Sequence, residues 1–271
     1  MSLELLAAAR AAARGASALL HTARPEAIRD KANLRDLVTE WDVRSEDLIR
    51  TVLEEHAPGI PVLGEEAGQG GGTAEGLRWL VDPIDGTVNF AHGLPIWSVS
   101  IAIEDHGTLL AGVVAAPALG WWFEASRGGG ARDGTGSPLG VSQTSRLDRA
   151  MLASGFPYDL ATSPDNNFAE WAHLQRTAGA CRRLGSASLD LCLVARGWFD
   201  GYWERKLKPW DVAAGALIVL EAGGTVTDTR GAGFDPHAGE VVATNGAIHD
   251  GLIAELGRVR TAPREHSPEH T

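Results

Sequence analysis

Two aspartates three positions apart, Asp82 and Asp85 in the stretch "WLVDPIDGTVNF" (79–90), are the residues of this chain best placed to do chemistry. The apolar run Trp79, Leu80, Val81 predicts a buried strand, and that strand delivers both carboxylates on a rigid turn. Pro83 fixes one φ angle, so the turn can aim both side chains at a common point. The carbonyl of Ile84 adds a further oxygen. Gly86 permits close backbone approach, and Thr87 offers a hydroxyl and an N–H where a helix could begin. Oxygen ligands without nearby His or Cys suit Mg²⁺ or a similar hard cation. The stretch reads as a metal-binding, phosphate-receiving turn. Taken alone, a plain turn in which Asp is favoured for its local hydrogen bonds competes with that reading.

Asp42, Glu65 and Asp211 also stand at the edges of apolar elements. Each has a bland reading by itself: Asp211 as the N-cap of the apolar helix that follows, Glu65 and Glu66 as a solvated loop. Together those readings weaken, because carboxylates clustered at the mouth of a core repel one another and need cations or protons to coexist. Glu65, Asp82, Asp85 and Asp211 carry four negative charges, which two divalent ions balance. A third ion would turn the site positive and attract a phosphate dianion.

The elements that must position these acids follow from periodicity. Helices are expected over residues 3–22, 43–56, 166–178, 186–197 (with Gly197 as its C-terminal cap), 210–224 and a last one ending near Leu256. Strand-like runs are "IPVLGEE", the opening stretch, "WSVSIAIED", "GTLLAGVVAAP", "GWWFEAS", "GGGARDG" and "PLGVSQTS", joined by Gly-rich turns that suggest antiparallel pairing. The second half adds "MLASGF", "FDGYWE", "GTVTDT" and "EVVATN" between helices. The pattern predicts an α/β (α+β) layered architecture in one domain, residues 1–258, with an N-terminal α+β half to about 145 and a C-terminal α/β half from about 146. "AGQGGGTAEG" (67–76) reads as a mobile surface loop, and 259–271 as a disordered polar tail.

Composition excludes several classes. The chain has 271 residues, 44% of them apolar and 22% charged, which is ordinary for a soluble globular protein. A formal charge of −11 argues against direct binding to nucleic acid or to an anionic membrane. Cys181 and Cys192 show no CxxC spacing and read as buried thiols, which fits a reducing cytoplasm. The Ala-rich N-terminus is broken by Glu4, Arg10 and Arg14 and reads as a helix, not a signal peptide. The longest uncharged stretch is interrupted by Gly112, Pro117 and Gly120, too broken for a membrane span.

"GEE" (64–66), "WLVDPIDGTVNF" and "WDVAAGALIVLEAGG" (210–224) together resemble the inositol monophosphatase family, as do "DLVTEWD" (36–42), "GFPY" (155–158) and "GSASLDLCLVARGWFDGYWE" (185–204). The likeness spans roughly residues 5–256, and it is the combination that is specific. It implies an αβαβα sandwich of the sugar-phosphatase type, usually a homodimer, that hydrolyses a phosphate monoester with Mg²⁺ and is commonly inhibited by Li⁺. Carried over, Glu65, Asp82 and the Ile84 carbonyl would hold one ion. Asp82 would bridge to a second, shared with Asp85 and Asp211, and a third, weaker ion would sit near Glu65. Asp42 and Thr87 would orient and deprotonate the attacking water, and the N–H groups of Gly86 and Thr87 would receive phosphate. Glu204 would contact substrate hydroxyls, with Gly185, Ser186 and Ala187 lining the same pocket beside Asp85 and Asp211.

The substrate expected from these residues is inositol-1-phosphate. Histidinol phosphate phosphatase, a 3′(2′),5′-bisphosphate nucleotidase and a sugar bisphosphatase would share the metal site, but Glu204 accepts from hydroxyls and repels a second phosphate. Some bacterial proteins that resemble this family bind the transcription machinery, which makes such a partner a second reading. Other residues read more plainly. Lys31 is expected to be solvated, as are Arg205, Lys206 and Lys208. His92 is at best a contact on the substrate side, and Arg182 and Arg183 could sit at a dimer interface.

Overall fold

In the computed structural model, residues 2–25, 28–31, 36–70 and 76–261 are described. Seven α-helices are placed among them: α1 (Ser2–Leu20), α2 (Glu40–His56), α3 (Thr87–Ala91), α4 (Phe168–Thr177), α5 (Ala187–Ala195), α6 (Pro209–Glu221) and α7 (His249–Thr261). The strands are β1 (Ile28–Asp30), β2 (Leu37–Thr39), β3 (Val62–Gly64), β4 (Gly68–Gly70), β5 (Leu77–Asp85), β6 (Ser98–Asp105) and β7 (Thr108–Ala116). They continue with β8 (Trp121–Ser126), β9 (Gly130–Asp133), β10 (Met151–Ser154), β11 (Ala180–Arg182), β12 (Gly201–Arg205), β13 (Thr225–Thr227) and β14 (Glu240–Thr244).

A seven-stranded sheet has the order β4-β3-β5-β6-β7-β8-β9, and a five-stranded sheet the order β11-β10-β12-β14-β13. The first sheet is antiparallel except where β3 meets β5. In the second, β10 runs parallel to both β11 and β12. Alternation along the strands explains the layers, since successive side chains point to opposite faces. Trp79 and Val81 face α1 and α2, in a core with Ala9, Ala13, Ile49 and Leu53. Leu80 faces the other way, into a core built by α5 and α6. From the far side, Tyr202, Val241 and Ala243 of the second sheet reach the same central core. Their neighbours Trp203 and Val242 turn away, towards Leu174 of α4 and Leu252 of α7. The result is a five-layer αβαβα sandwich, with α5 and α6 as its middle layer. All nine residues of α5 are buried, as expected for a helix covered on both sides.

Most expected elements are present, with a few differences at their edges. "PLGVSQTS" is not a strand; it contributes one isolated bridge, Arg132 to Pro138. Part of the Gly-rich loop is strand β4, and residues 71–75 lie outside the described residues. The final helix continues past Leu256 to Thr261, while the rest of the expected tail lies outside the described residues. Both cysteines are buried free thiols.

Candidate active site

Residues three apart on a regular strand point to opposite faces, so β5 alone would separate Asp82 from Asp85. Against β6, however, Asp82 pairs with Ser100 and Asp85 with Ser98, so three steps on one strand match two on the other. This one-residue bulge, between Asp82 and Asp85, re-aims the chain and turns both carboxylates into one pocket. The Ile84 N–H donates to Asp82 Oδ1 at 3.0 Å and closes the turn. Gly86 follows in the left-handed region, at φ 95°, and a Cβ there would stand 3.0 Å from the Gly185 carbonyl oxygen. Only glycine suits both the angle and the contact. Thr87 then sends its hydroxyl to within 3.0 Å of Asp42 Oδ1 and 3.0 Å of the Ile84 carbonyl.

Asp42 lies inside α2, not ahead of it: the helix begins at Glu40, three residues before the expected start. Thr39 is the N-cap, and Asp42 Oδ2 accepts from the Thr39 N–H at 2.8 Å and its hydroxyl at 2.6 Å, a capping box. Its other oxygen is left for Thr87. Asp85 is held by the start of α5, where the N–H and hydroxyl of Ser188 (2.7 and 2.5 Å) and the hydroxyl of Ser186 (2.8 Å) donate to Oδ2. The Ala187 N–H reaches Oδ1 at 3.2 Å. Ser186 and Ala187 thus hold Asp85 as well as lining the pocket with Gly185. Asp211 is the third residue of α6, not its N-cap, and Oδ2 accepts the Lys208 N–H at 2.7 Å. Glu65 follows β3 and is met by Lys31, whose Nζ stands 2.7 Å from Glu65 and 2.5 Å from Glu66. Lys31 is therefore a partner of the cluster and not a solvated lysine.

The pocket has a volume of about 400 Å³, and Lys31, Glu65, Asp82, Asp85, Glu204 and Asp211 all line it. Burial pushes the Asp82 carboxyl well above the usual range, and the charges of Glu65, Asp85, Asp211 and Asp42 push it further. Burial likewise raises Asp42, against the hydrogen bonds from Thr39 and Thr87. For Lys31, burial opposes the charge, yet attraction to Glu65 and the hydrogen bonds to Glu65 and Glu66 outweigh it and hold the ammonium charged. One lysine against this many carboxylates leaves negative charge uncompensated.

Among the described residues, no three His, Cys, Asp or Glu side chains lie in ready-made metal geometry. Their oxygens are turned to donors of the chain: Asp85 to α5, Asp211 to Lys208, Glu65 to Lys31. The donor set nevertheless fits a hard divalent cation: oxygen only, buried at Asp82 and Asp85 and half-buried at Glu65 and Asp211, and mutually repelling. A larger cleft of about 650 Å³, between α1 and β8, lacks this feature. There Glu124 is bonded by Arg10 at 2.7 Å, and Asp133 by Arg196 at 3.1 Å, so its acids are already paired.

Glu204, 8% exposed on β12, accepts from the Tyr202 hydroxyl; burial raises its carboxyl to about 7. Gly155 lies against it, since a Cβ there would come within 2.1 Å of the Glu204 carboxylate. Arg183 and Lys206 also border the pocket; Lys206 pairs with Asp159 at 2.8 Å, and Arg205 with Asp165 at 2.6 Å. Those two cations are partnered and not simply solvated. His92 bonds its own helix, Nδ1 to the Val88 carbonyl at 2.8 Å, and is not among the pocket residues. Sequence reasoning missed Asp190, which also lines the pocket. The signal was available: it is the one charged residue in the otherwise apolar or small run "ASLDLCLVA".

A five-layer sandwich with an oxygen-only acid cluster at one pocket is suited to phosphoester hydrolysis. The comparisons agree. The chain belongs to the inositol monophosphatase family, whose model matches residues 2–261. It is similar to the inositol-1-monophosphatase of Synechocystis sp., at 41% identity over 229 residues, 84% of this chain and 79% of that protein. The putative Nus factor SuhB of Neisseria meningitidis serogroup B is 42% identical over 217 residues, 80% of this chain and 82% of that protein. Among solved structures, the inositol monophosphatase from Anabaena (Nostoc) sp. PCC 7120 superposes with a TM-score of 0.85 at 39% identity, covering 93% of this chain and 95% of that one. The chain is a phosphomonoesterase of a generally metal-dependent family. No helix of the described residues is long and apolar enough to cross a membrane.

Proposed function

We propose that this chain hydrolyses inositol-1-phosphate to inositol and inorganic phosphate, with two or three Mg²⁺ ions. One observation carries the reading: the buried acid cluster and a separate buried carboxylate suited to hydroxyls, Glu204, line the same pocket. Glu65, Asp82 and the Ile84 carbonyl would hold one ion, Asp82, Asp85 and Asp211 a second, and the surroundings of Glu65 a weaker third. When bound, such ions acidify water at the site and neutralise charge on the phosphoryl and leaving oxygens.

The chain's own groups do the rest. Thr87 and Asp42 orient the attacking water and take its proton, the acid being buried and already hydrogen-bonded to the hydroxyl. The N–H groups of Gly86 and Thr87 receive the phosphate. Glu204 accepts from substrate hydroxyls, and Gly185, Ser186 and Ala187 shape the wall, the last two also fixing Asp85. Li⁺ inhibition, a homodimer and a cytoplasmic location belong to the same proposal. Phosphate release from inositol-1-phosphate, histidinol phosphate, adenosine 3′,5′-bisphosphate and fructose-1,6-bisphosphate, with Mg²⁺ or EDTA, tests it. Preference for the inositol ester, abolished by EDTA, is expected; preference for another ester would overturn the substrate assignment.

The relatives named as Nus factors favour a second reading, in which the chain also binds the transcription machinery. Recovery of transcription proteins on the immobilised chain, equally with wild type and Asp82→Asn, is the expected result. Failure of both to recover them removes this reading.

A further inference from the structure

Asp190 sits in the first turn of α5, 1% exposed, on the wall of the site pocket. Its backbone N–H bonds the Ser186 carbonyl at 3.0 Å, but Oδ1 of its side chain is buried without a partner. A buried acceptor left without a donor is destabilising, so such a group calls for an explanation. Every other acid of the pocket has one. Asp85, Asp211 and Glu65 are bonded by the chain, and Glu204 accepts from Tyr202. Asp190 alone lines the pocket with a buried carboxylate oxygen that no group of the chain bonds.

We infer that Asp190 is a specificity-determining residue that accepts a hydroxyl hydrogen bond from the leaving group, beside Glu204. The inference rests on the proposed polyol ester substrate and adds a second acceptor to the group that reads it. Two acceptors on different elements, α5 and β12, line one pocket and can each take a different hydroxyl of the same ligand. Burial raises both carboxyls; the charge of Glu204 raises Asp190 further, and the charge of Arg183 at the same pocket pulls both back. A ligand that brings O–H donors satisfies them. A ligand without hydroxyls leaves a buried acceptor bare, which is how such a site rejects it. The other residues of α5 are apolar or small and buried, most of them in the central core.

Two esters with the same ring separate the possibilities: inositol-1-phosphate and cyclohexyl phosphate, which lacks every ring hydroxyl. In Asp190→Ala, kcat/KM on the inositol ester falls roughly 10- to 100-fold, while that on cyclohexyl phosphate changes less than about 3-fold. Asp190→Asn keeps a carbonyl acceptor and loses less. The Tm of both variants is unchanged or raised, because no hydrogen bond is removed. Equal losses on the two esters, or an undiminished preference for inositol in Asp190→Ala, would overturn the inference. The substrate reading fails separately, if the wild type itself shows no preference for the inositol ester; an enzyme that turns over neither ester sinks both.

Discussion

The hydroxyl of Thr87 lies 3.0 Å from Asp42 Oδ1, joining the turn after β5 to the first turn of α2. Forty-five positions separate the two residues, and the contact exists because Asp42 has spent only its other oxygen on Thr39. A helix cap and the proposed catalytic pair thus share one carboxylate. Thr87→Val keeps the shape and removes the hydroxyl. Its kcat is expected to fall about 10²–10⁴-fold, the span typical of a lost general acid–base group. Stability changes by only about 1 kcal/mol. Thr87→Ser should recover most of the activity; a valine variant with near-wild-type kcat contradicts the pair.

The turn itself depends on Gly86. An alanine there must adopt φ near 95° and place its methyl 3.0 Å from the Gly185 carbonyl. The left-handed conformation alone costs about 1–2 kcal/mol. Urea unfolding of Gly86→Ala should show a loss of about 2–4 kcal/mol, with activity reduced at least tenfold. Unchanged stability would mean the turn has a second conformation available.

Protons and metal ions compete to neutralise this pocket, which gives a sign to its pH dependence. Burial raises the Glu66 and Glu204 carboxyls to about 7, above their ordinary value near 4.5. Between those values the folded chain holds more protons than the unfolded one, so stability falls as pH rises. In EDTA, thermal unfolding from pH 4.5 to 7.5 should show a loss on the order of 1–3 kcal/mol. Saturating Mg²⁺ should flatten the slope. A slope of opposite sign in EDTA would show that the acids are not held up by burial.

Lys31 occupies Glu65 with a tethered positive charge. Lys31→Gln removes that competitor while keeping a polar side chain. Calorimetric titration is expected to show Mg²⁺ binding tightened about 3- to 10-fold, a change of roughly 1 kcal/mol typical of a partly screened ion pair. Weaker binding in the variant would assign Lys31 a supporting role instead.

Much of this was legible in the residues. Short runs of apolar and small residues marked the central strands, because a strand buried on both faces leaves a nearly continuous run, as in "WLV" and "SVSIAI". The acids of the cluster stood out by their places at element ends. What was hidden depends on long-range pairing. Three-residue strands such as β4 and β11 carry too little pattern to register and exist through their partners. The bulge that turns Asp85 to the side of Asp82 is a relation between β5 and β6. Lys31 reads as solvated until the fold brings it to Glu65 and Glu66, more than thirty positions away. Asp190 was visible as a lone acid in a buried helix, but its missing partner was not.

Asp82 is the hub of the site, 2% exposed and raised by burial and by the charges of four other acids. The most direct test is Mg²⁺ binding by calorimetry alongside phosphate release from inositol-1-phosphate, in wild type and Asp82→Asn. The wild type should bind divalent ions and release phosphate only without EDTA. Asp82→Asn should lose nearly all turnover and at least one binding event. It should also unfold no more easily than the wild type in EDTA, because one repelling charge is gone. Near-wild-type, Mg²⁺-dependent turnover by the folded variant would contradict the account at its centre.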